Sequence, residues 1–298
     1  MNVFIDGSAG TTGLQLEKRL RGRKDIRLVG IDPALRKNEE AKAAVMNTAD
    51  VVFLCLPEDA ARLSAALIQN PDVRVLDASV AHRTHPDWAY GFPELSPAHR
   101  TRIRESRRIA VPGCHASGFA ALVYPLAQAG LVAKDTALSC FSLTGYSGGG
   151  KSLIEEYERD HPRGGRPYAL GLTHKHLPEM QAVCGLLHPP VFLPVLADVY
   201  QGMLVSVPLH MDARRAHECL CAHYDGGRRV RVLPFGGDSE GILENGQLNM
   251  ETLNGTDDME LLVFGHERQA LLVARLDNLG KGASGAAVQC MDIAVGIE

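Results

Sequence analysis

Residues 1–32 read MNVFIDGSAGTTGLQLEKRLRGRKDIRLVGID. The apolar MNVFIDG predicts a short buried strand, and leucines at helical spacing in LQLEKRLRGR predict a helix after the turn GSAGTTG. IRLVGID then predicts a second strand. A strand, a helix and a strand in this order make a βαβ unit, which pairs its two strands in parallel.

The alternation of strands and helices continues through VRVLDAS. EEAKAAVM and the segment from Glu58 to Gln69 predict helices, whereas ADVVFLCLP and VRVLDAS predict strands. This pattern is typical of an α/β fold with a Rossmann-type, doubly wound parallel sheet. The stretch from His82 to Arg108 is rich in Pro, His and Arg and predicts a loop. RIAVPGC then predicts one short strand, and SGFAALVYPLAQAG predicts a well-buried helix.

A second α/β domain follows from ALSCFSLT onward, where strand-like segments outnumber helices. These segments are PVFLPVLA, QGMLVSVPLHM, RRVRVLPF, LLVFGHE and ALLVARLD. One long helix, DARRAHECLCAHY, and several turns separate them, which predicts a mixed sheet. The tail DNLGKGASGAAVQCMDIAVGI begins with glycines and predicts a helix of small residues.

The length and composition favour a globular protein of two domains. The 298 residues are 45% hydrophobic and 22% charged, and the net charge is −4 with basic and acidic residues interspersed. We therefore expect neither nucleic-acid binding nor a membrane partner. No leader or membrane-spanning run is visible, and the seven cysteines are scattered without C-x-x-C, which favours a cytoplasmic location.

The turn GSAGTTG has the spacing G-x-x-G-x-x-G, between the first strand and the first helix. Its glycines allow a tight turn, and the helix start offers N–H groups to a pyrophosphate, with hydroxyl donors beside them. The predicted cofactor-binding residues of this turn are Gly7, Ser8, Ala9, Gly10, Thr11, Thr12 and Gly13. Asp32 ends the second strand, as in NAD sites, but Arg36 and Lys37 follow it and favour NADP weakly.

A second glycine-rich stretch, GYSGGGKS (residues 145–152), matches the phosphate-binding loop signature G-x-x-x-x-G-K-[ST] without a mismatch. It lies between a predicted strand and a predicted helix, which is the context that such a loop requires. The stretch therefore leaves open an ATPase or kinase that would use Lys151. No convincing apolar strand ending in a magnesium-binding Asp follows it, and the first glycine turn would then have no role.

Cys114 in IAVPGCHASGF follows a predicted strand and a Pro-Gly turn and opens a predicted helix. Unsatisfied N–H groups at a helix start stabilise a thiolate, so this position suits an attacking cysteine. In THKHLPE, His174 and His176 lie two residues apart, and in extended backbone they would point the same way. Either can serve as acid and base, with Glu179 as its orienting partner.

The segment HECLCAH contains four side chains of types that bind metals, His217, Cys219, Cys221 and His223. We predict that it is helical, so the two pairs four residues apart face in different directions. No metal site is predicted here, nor at the H-x-H of the preceding motif.

The motifs together resemble the family of N-acetyl-γ-glutamyl-phosphate reductases, in the shorter of its two sequence types. They are GSAGTTG, DASVAHR with YGFPEL, VPGCHASGF, GYSGGGKS, HKHLPE and DNLGKGASGAAVQ, in order from Gly7 to Gln289. The resemblance implies a semialdehyde dehydrogenase-like fold and NADPH-dependent reduction of an acyl phosphate in arginine biosynthesis. It departs from the family at Val111, where Asn is frequent, and at His115, where Tyr is common.

The resemblance also implies residue roles and domain bounds. Cys114 matches the nucleophile, and His174, His176 and Glu179 match the acid–base group, with His174 favoured. Further matches are Asn278, Gly280 and Gly282 on the nicotinamide side of the cofactor. We assign Arg83, Ser147 and Lys151 to the substrate phosphate. The expected domains are 1–115 with 279–298, for NADP, and 116–278, for catalysis and assembly into a homodimer or homotetramer.

Alternatives remain at this stage. A related enzyme would act on aspartyl phosphate or a carrier-linked aminoadipyl phosphate, and the physics of the residues alone does not select among these substrates. A non-catalytic NADP-sensing regulator on the same fold is a third reading, beside the kinase or ATPase.

Overall fold

The computed structural model describes residues 1–36, 38–237 and 241–298. Its internal contacts divide the chain into two compact units, Met1–Gly113 with Ala283–Glu298, and Cys114–Gly282. The sequence-based bounds given above differ from this division by a few residues at each boundary. Each unit is described by itself.

The first unit alternates strands and helices, as predicted. Its elements before Gly113 are β1 (Asn2–Asp6), α1 (Thr11–Leu20), β2 (Arg27–Val29), α2 (Glu39–Met46), β3 (Val51–Leu54), α3 (Glu58–Ala66), β4 (Arg74–Asp77), β5 (Ala89–Tyr90), α4 (Pro97–Glu105) and β6 (Arg108–Ala110). They form one sheet in the order β2-β1-β3-β4-β6-β5, and every strand pairing in its described part is parallel. All four residues of β3 are buried, as expected for a strand covered on both faces.

The strand order reverses between β1 and β3, which are neighbours in the sheet. Ligands of open α/β sheets bind beside the carboxyl ends of the strands at such a reversal. The turn GSAGTTG leaves the carboxyl end of β1 and therefore lies at this point. The predicted doubly wound sheet is confirmed, and the glycine turn lies at its reversal point.

The loop predicted from His82 to Arg108 is wrong, because this stretch contains β5 and α4. Helix α4 begins with Pro97, and the Ser96 side chain caps it by accepting a hydrogen bond from the His99 main-chain N–H at 3.2 Å. Ser before Pro is a helix-start signal, since proline suits the first turn and serine the cap. The frequent Arg and His residues concealed this signal.

The second unit contains a mixed sheet, which confirms the prediction. Its elements are α5 (Cys114–Gln128), β7 (Ser139–Gly145), α6 (Lys151–Asp160), β8 (Arg166–Pro167), α7 (Leu177–Cys184), β9 (Val191–Ala197), β10 (Met203–Leu209), α8 (Ala213–His223), β11 (Val230–Val232), β12 (Met259–His266) and β13 (Gln269–Leu276). The strand order is β11-β12-β13-β10-β7-β9-β8. β7 is parallel to β9 and β11 to β12, whereas the other pairings are antiparallel.

Helix α5 is buried on nearly all sides, as its apolar sequence predicts. It approaches β10 so closely that a Cβ on Gly118 would lie 2.5 Å from a Val205 methyl carbon. Elsewhere in this unit, Leu204, Leu262 and Val273 form an apolar cluster that also contacts Leu248 and other residues after β11.

The chain returns to the first unit at its end. A π-helical turn (Gly280–Ser284) leads into α9 (Gly285–Val295), whose small apolar residues pack in one cluster with β1 and α1 residues such as Val3 and Leu16. Among the described residues, no helix combines the length and apolarity needed to cross a lipid bilayer.

Candidate active site

The turn after β1 requires glycine for steric reasons. Gly7 has φ +86°, and a Cβ there would lie 2.2 Å from the Cys55 carbonyl oxygen. A Cβ on Gly13 would lie 2.4 Å from the Gly7 carbonyl oxygen. The Gly10 N–H closes the turn by donating to Gly7 O at 3.0 Å. The backbone is therefore packed as closely as a turn that meets a pyrophosphate needs to be.

The start of α1 leaves donors for an anion. Gly10 is its N-cap and has no side chain to cap the helix, and no acidic residue lies in the first turn. Ser8 and Ala9 are exposed and Thr11 and Thr12 are half-buried. The hydroxyl groups make no hydrogen bond to another described residue. All seven predicted cofactor residues of the turn thus surround one helix N-terminus, which fits a dinucleotide pyrophosphate.

The residues that would select the cofactor lie after β2. The Asp32 carboxylate accepts a hydrogen bond from the Ala34 main-chain N–H at 2.9 Å, so it caps a local turn. Arg36 is solvent-exposed. Lys37 lies outside the described residues. An acid engaged in a turn beside an exposed guanidinium is compatible with a 2′-phosphate on the ribose.

Arg83, assigned to the substrate phosphate, already contacts the main chain. Its Nε donates to Val111 O at 2.9 Å, and one terminal nitrogen donates to Ala78 O at 3.1 Å. The preceding His82 lies 2.7 Å, Nδ1 to carboxylate oxygen, from the fully buried Asp77 at the end of β4. These contacts fix the DASVAHR segment in the first unit.

Cys114 is half-buried and is the first residue of α5, so the predicted helix start is confirmed. The glycines predicted on the nicotinamide side lie in the π-helical turn of the tail. A Cβ on Gly282 would lie 2.8 Å from Cys114 Cβ, and one on Gly280 would lie 1.9 Å from the Thr256 carbonyl oxygen. Both glycines therefore allow close packing, and Gly282 packs directly behind the cysteine.

The extended conformation expected for HKH is wrong, because His176 has helical dihedrals and directly precedes α7. The turn nevertheless brings the two rings together, with centroids 4.7 Å apart and planes nearly perpendicular. His174 Nδ1 accepts the His176 main-chain N–H at 3.1 Å, so the neutral His174 ring carries its proton on Nε2. Glu179 is buried in the first turn of α7.

His115 occupies the centre of an aromatic cluster that the sequence did not predict. Its ring centroid lies 5.4 Å from that of His174, 5.5 Å from that of His176 and 5.1 Å from that of Phe192. Burial, with smaller contributions from the charges of His174 and Lys175, lowers the pKa of His115 to about 3. His115 is therefore neutral at any physiological pH.

Tyr168 is a second residue that sequence reasoning missed. Its hydroxyl lies 2.9 Å from His115 Nε2, and its ring lies 5.7 Å from that of His174. Burial raises the pKa of Tyr168, and the nearby charge of Cys114 raises it further, so its hydroxyl keeps its proton. The only available signal was its position six residues before His174, in a segment without a recognisable motif.

The main chain of GYSGGGKS is already paired. The N–H groups of Gly145, Tyr146 and Ser147 donate to carbonyls of residues 199–202 at 2.9 to 3.0 Å. Gly145 is required because a Cβ there would lie 2.5 Å from Gln201 Cα. A phosphate-binding loop keeps successive N–H groups for its ligand, and three at the start of this loop are already bound, whereas α6 itself begins with the uncapped Gly150.

The polar side chains of this loop point to two different surroundings. Ser147 is buried, and its Oγ accepts a hydrogen bond from Asn278 Nδ2 at 3.0 Å, while Asn278 Oδ1 accepts the Gly202 N–H at 2.9 Å. The Lys151 side chain is 71% exposed, and its Nζ lies 3.7 Å from Glu155. Asn278 therefore connects the glycine loop to the tail, and the structure does not bring Ser147 and Lys151 together.

The side chains of HECLCAH turn to separate neighbours on α8, as predicted from helical spacing. His217 Nε2 lies 2.9 Å from Leu233 O, Cys219 Sγ lies 3.8 Å from Pro125 O, and the His223 ring packs on aromatic residues. Within the described ranges, no group of three or more His, Cys, Asp or Glu side chains could hold a metal ion.

Comparisons with known proteins agree with both units. The family "Semialdehyde dehydrogenase, NAD binding domain" matches residues 2–103, and "Semialdehyde dehydrogenase, dimerisation domain" matches residues 114–278. The chain is 44% identical to N-acetyl-gamma-glutamyl-phosphate reductase of Burkholderia ambifaria, over 99% of this chain and 96% of that protein. It is 43% identical to N-acetyl-gamma-glutamyl-phosphate reductase 2 of a Nostoc species, over 99% and 97%.

Solved structures are similar in fold. Aspartate semialdehyde dehydrogenase II of Vibrio cholerae, in complex with ASA, has a TM-score of 0.70 at 16% identity, over 99% of this chain and 98% of that one. Aspartate semialdehyde dehydrogenase with NADP, of Candida albicans, has a TM-score of 0.63 at 15% identity, over 100% and 99%. The predicted semialdehyde dehydrogenase-like fold is confirmed.

Proposed function

We infer an activity from one premise, that this chain belongs to the N-acetyl-gamma-glutamyl-phosphate reductase family. The inferred reaction is the NADPH-dependent reduction of N-acetyl-γ-glutamyl phosphate to N-acetylglutamate semialdehyde and phosphate, a step of arginine biosynthesis. The observation that supports it most directly is the position of Cys114 at the first residue of α5. A reactive cysteine belongs at such a helix start.

The cysteine performs the covalent step. The Cys114 thiolate attacks the γ-carbonyl carbon, the C–O bond to phosphate breaks, and a thioester forms on Sγ. Arg83 is our candidate for the phosphate as it leaves, since a guanidinium pairs well with phosphate oxygens. Ser147 and Lys151 are weaker candidates, because Ser147 is occupied by Asn278 and Lys151 is exposed beside Glu155.

The first unit is the proposed NADP-binding unit. Gly7 to Gly13 would hold the pyrophosphate at the start of α1, and Arg36 with Lys37 would meet the 2′-phosphate. The bound cofactor supplies a hydride to the thioester carbon. The scattered thiols and the biosynthetic reaction fit a cytoplasmic enzyme.

The histidine pair handles the proton that the net reaction consumes. After reduction the Cys114 adduct is a thiohemiacetal oxyanion, and its collapse breaks the C–S bond, which frees the aldehyde and restores the thiolate. The leaving phosphate needs one proton overall, which we assign to His174 and His176, with Glu179 in the adjoining turn of α7. Of the two histidines, His174 is the donor that the resemblance favours.

We also propose that the chain forms a homodimer through the mixed sheet of the second unit. Phe141 and Leu193 are in register on neighbouring strands, and each is 40% exposed, with Val191 and Leu271 also exposed. A row of exposed apolar residues on a sheet suits a second copy of the chain. We expect Leu193→Glu to lower the mass seen by sedimentation, and an unchanged mass would contradict this interface.

The activity is tested in the oxidation direction. N-acetylglutamate semialdehyde, phosphate and NADP⁺ should give NADPH absorbance, and aspartate semialdehyde should not replace the substrate. Cys114→Ala should abolish turnover and leave NADPH binding intact. Cys221→Ala, which removes an exposed thiol on α8, should retain turnover. Turnover by Cys114→Ala would exclude the thioester, and binding of ATP in place of NADPH would restore the kinase alternative.

A further inference from the structure

A buried chain of hydrogen bonds runs from β7 to the loop after β8. Ser142 Oγ lies 2.8 Å from His115 Nδ1, and His115 Nε2 lies 2.9 Å from the Tyr168 hydroxyl oxygen. Ser142 is fully buried and His115 is 3% exposed. The three side chains lie within the second unit, and His115 is the residue that directly follows Cys114 in the chain.

The buried serine determines the direction of these bonds. Ser142 Oγ has no second hydrogen-bonding partner among the residues the structure describes. A buried hydroxyl that does not donate its hydrogen is unfavourable, so Ser142 donates to His115 Nδ1. The ring is neutral, because its burial lowers the pKa of His115 to about 3. Its single proton is then on Nε2.

The tautomer of His115 in turn orients Tyr168. His115 Nε2–H donates to the tyrosine oxygen, so the tyrosine cannot donate back to the same nitrogen. In the described parts of the chain, the Tyr168 hydroxyl hydrogen has no other acceptor. The Tyr168 ring lies 5.7 Å, centroid to centroid, from that of His174, and the charge of Cys114 raises the pKa of the Tyr168 hydroxyl, so this hydroxyl belongs to the same cluster of groups as the proposed nucleophile. The hydrogen is therefore available to whatever carries negative charge at Cys114.

We propose that Tyr168 donates a hydrogen bond first to the Cys114 thiolate and then to the oxyanion formed on its acyl adduct, and that Ser142 and His115 are positioning residues that orient this donor. The inference rests on the proposed function for its second half. No covalent bond forms or breaks in it. An oriented donor at a developing oxyanion acts without reorganisation, which is why a donor of this kind contributes strongly to acyl-transfer catalysis.

The kinetic test compares Tyr168→Phe, Ser142→Ala and the control Tyr200→Phe, which removes the hydroxyl of a 38% exposed tyrosine. Loss of one oxyanion donor lowers kcat about 100-fold in known cases, so we expect a fall of about 10- to 100-fold for Tyr168→Phe with little change in KM. Ser142→Ala should lower kcat less, and it should have no further effect when combined with Tyr168→Phe. Additive effects of these two changes, or a wild-type kcat in Tyr168→Phe, would overturn the proposal.

A second measurement needs no substrate and separates this proposal from the proposed function. The rate of Cys114 alkylation by iodoacetamide against pH reports the thiolate, and its midpoint should rise in Tyr168→Phe because the thiolate loses a donor. Tyr200→Phe should leave the midpoint unchanged. Nitrogen-15 NMR should show His115 protonated on Nε2 alone at neutral pH. A proton on Nδ1 would overturn the assigned direction of the hydrogen bonds from Ser142 to His115 and from His115 to Tyr168. If the alkylation midpoint and the His115 tautomer are as expected but the protein is inactive, only the proposed reaction is contradicted.

Discussion

The contact between Gly282 and Cys114 allows a direct test of how precisely the nucleophile is held. An alanine Cβ at position 282 would lie 2.8 Å from Cys114 Cβ and 3.4 Å from Cys114 Cα. The shorter distance is 0.6 Å below the 3.4 Å at which ordinary van der Waals contacts begin. Neither neighbour is the flexible end of a long side chain. Either the π-helical turn or the first residue of α5 must therefore move by a few tenths of an ångström.

The expected cost has two parts. Overpacking a close contact of this kind lowers the free energy of unfolding by about 1–3 kcal/mol. Misplacing a reacting group by about 1 Å costs on the order of 100-fold in rate, so a smaller shift of Cys114 Sγ should lower kcat about 10-fold or more.

The assay is phosphate-dependent oxidation of N-acetylglutamate semialdehyde, with thermal unfolding measured on the same protein. Gly227→Ala is the matched control, since its Cβ would lie 2.6 Å from the Val230 carbonyl oxygen, in a turn after α8. Both variants should lose stability, but only Gly282→Ala should lose turnover per folded molecule. Normal kcat in Gly282→Ala would refute the argument that this glycine sets the position of Cys114.

Three further outcomes are expected. Asn278→Ala leaves the Gly202 N–H and Ser147 Oγ without their side-chain partner, so the free energy of unfolding should fall by about 1–3 kcal/mol in denaturant titrations. An unchanged free energy of unfolding would show that these two hydrogen bonds do not stabilise the protein. Arg36→Ala should weaken NADPH binding but not NADH binding, measured by fluorescence titration, and equal losses would contradict a 2′-phosphate contact. The pKa of His115 is depressed in the folded protein, so between about pH 6.5 and 3 the unfolded chain binds more protons than the folded one. The free energy of unfolding should therefore decrease as the pH falls through that window, by at most about 1.4 kcal/mol per pH unit. His115→Gln should reduce this slope in urea titrations, and an unchanged slope would show that other groups cause it.

Local pattern was sufficient for the elements of the first unit from β1 to β4 and for the start of α5. The apolar run of β3 and the glycine turn before α1 can each be recognised from a few consecutive residues. Pattern failed at α4, where a Ser-Pro helix start was concealed by arginines, and at HKH, where a helix begins directly after His176. The first error missed a whole helix, and the second concerns the start of one, which depends on caps and tertiary contacts more than on periodicity.

The cluster around Cys114 was only partly predictable, because its members come from distant parts of the chain. Cys114, His174 and His176 carry chemically recognisable side chains in recognisable contexts. Ser142 lies inside a strand and Tyr168 in a loop, and nothing in either segment distinguishes them from residues of a core or a surface. Only the fold shows that His115 connects them.

The two glycine-rich stretches show why an exact motif can be the weaker guide. The N–H groups of Gly145, Tyr146 and Ser147 donate to carbonyls of residues 199–202. Gly145 is needed there because the chain packs closely against Gln201. GSAGTTG matches its signature less exactly, yet it leaves the helix start uncapped at the reversal point of a parallel sheet. A phosphate is bound by donors that the protein has not already used, and a sequence motif specifies where glycines are but not what their N–H groups bind. Three N–H groups of the second loop are already bound, and the match to an NAD-binding domain covers the first loop, so these two observations favour the first loop for the nucleotide.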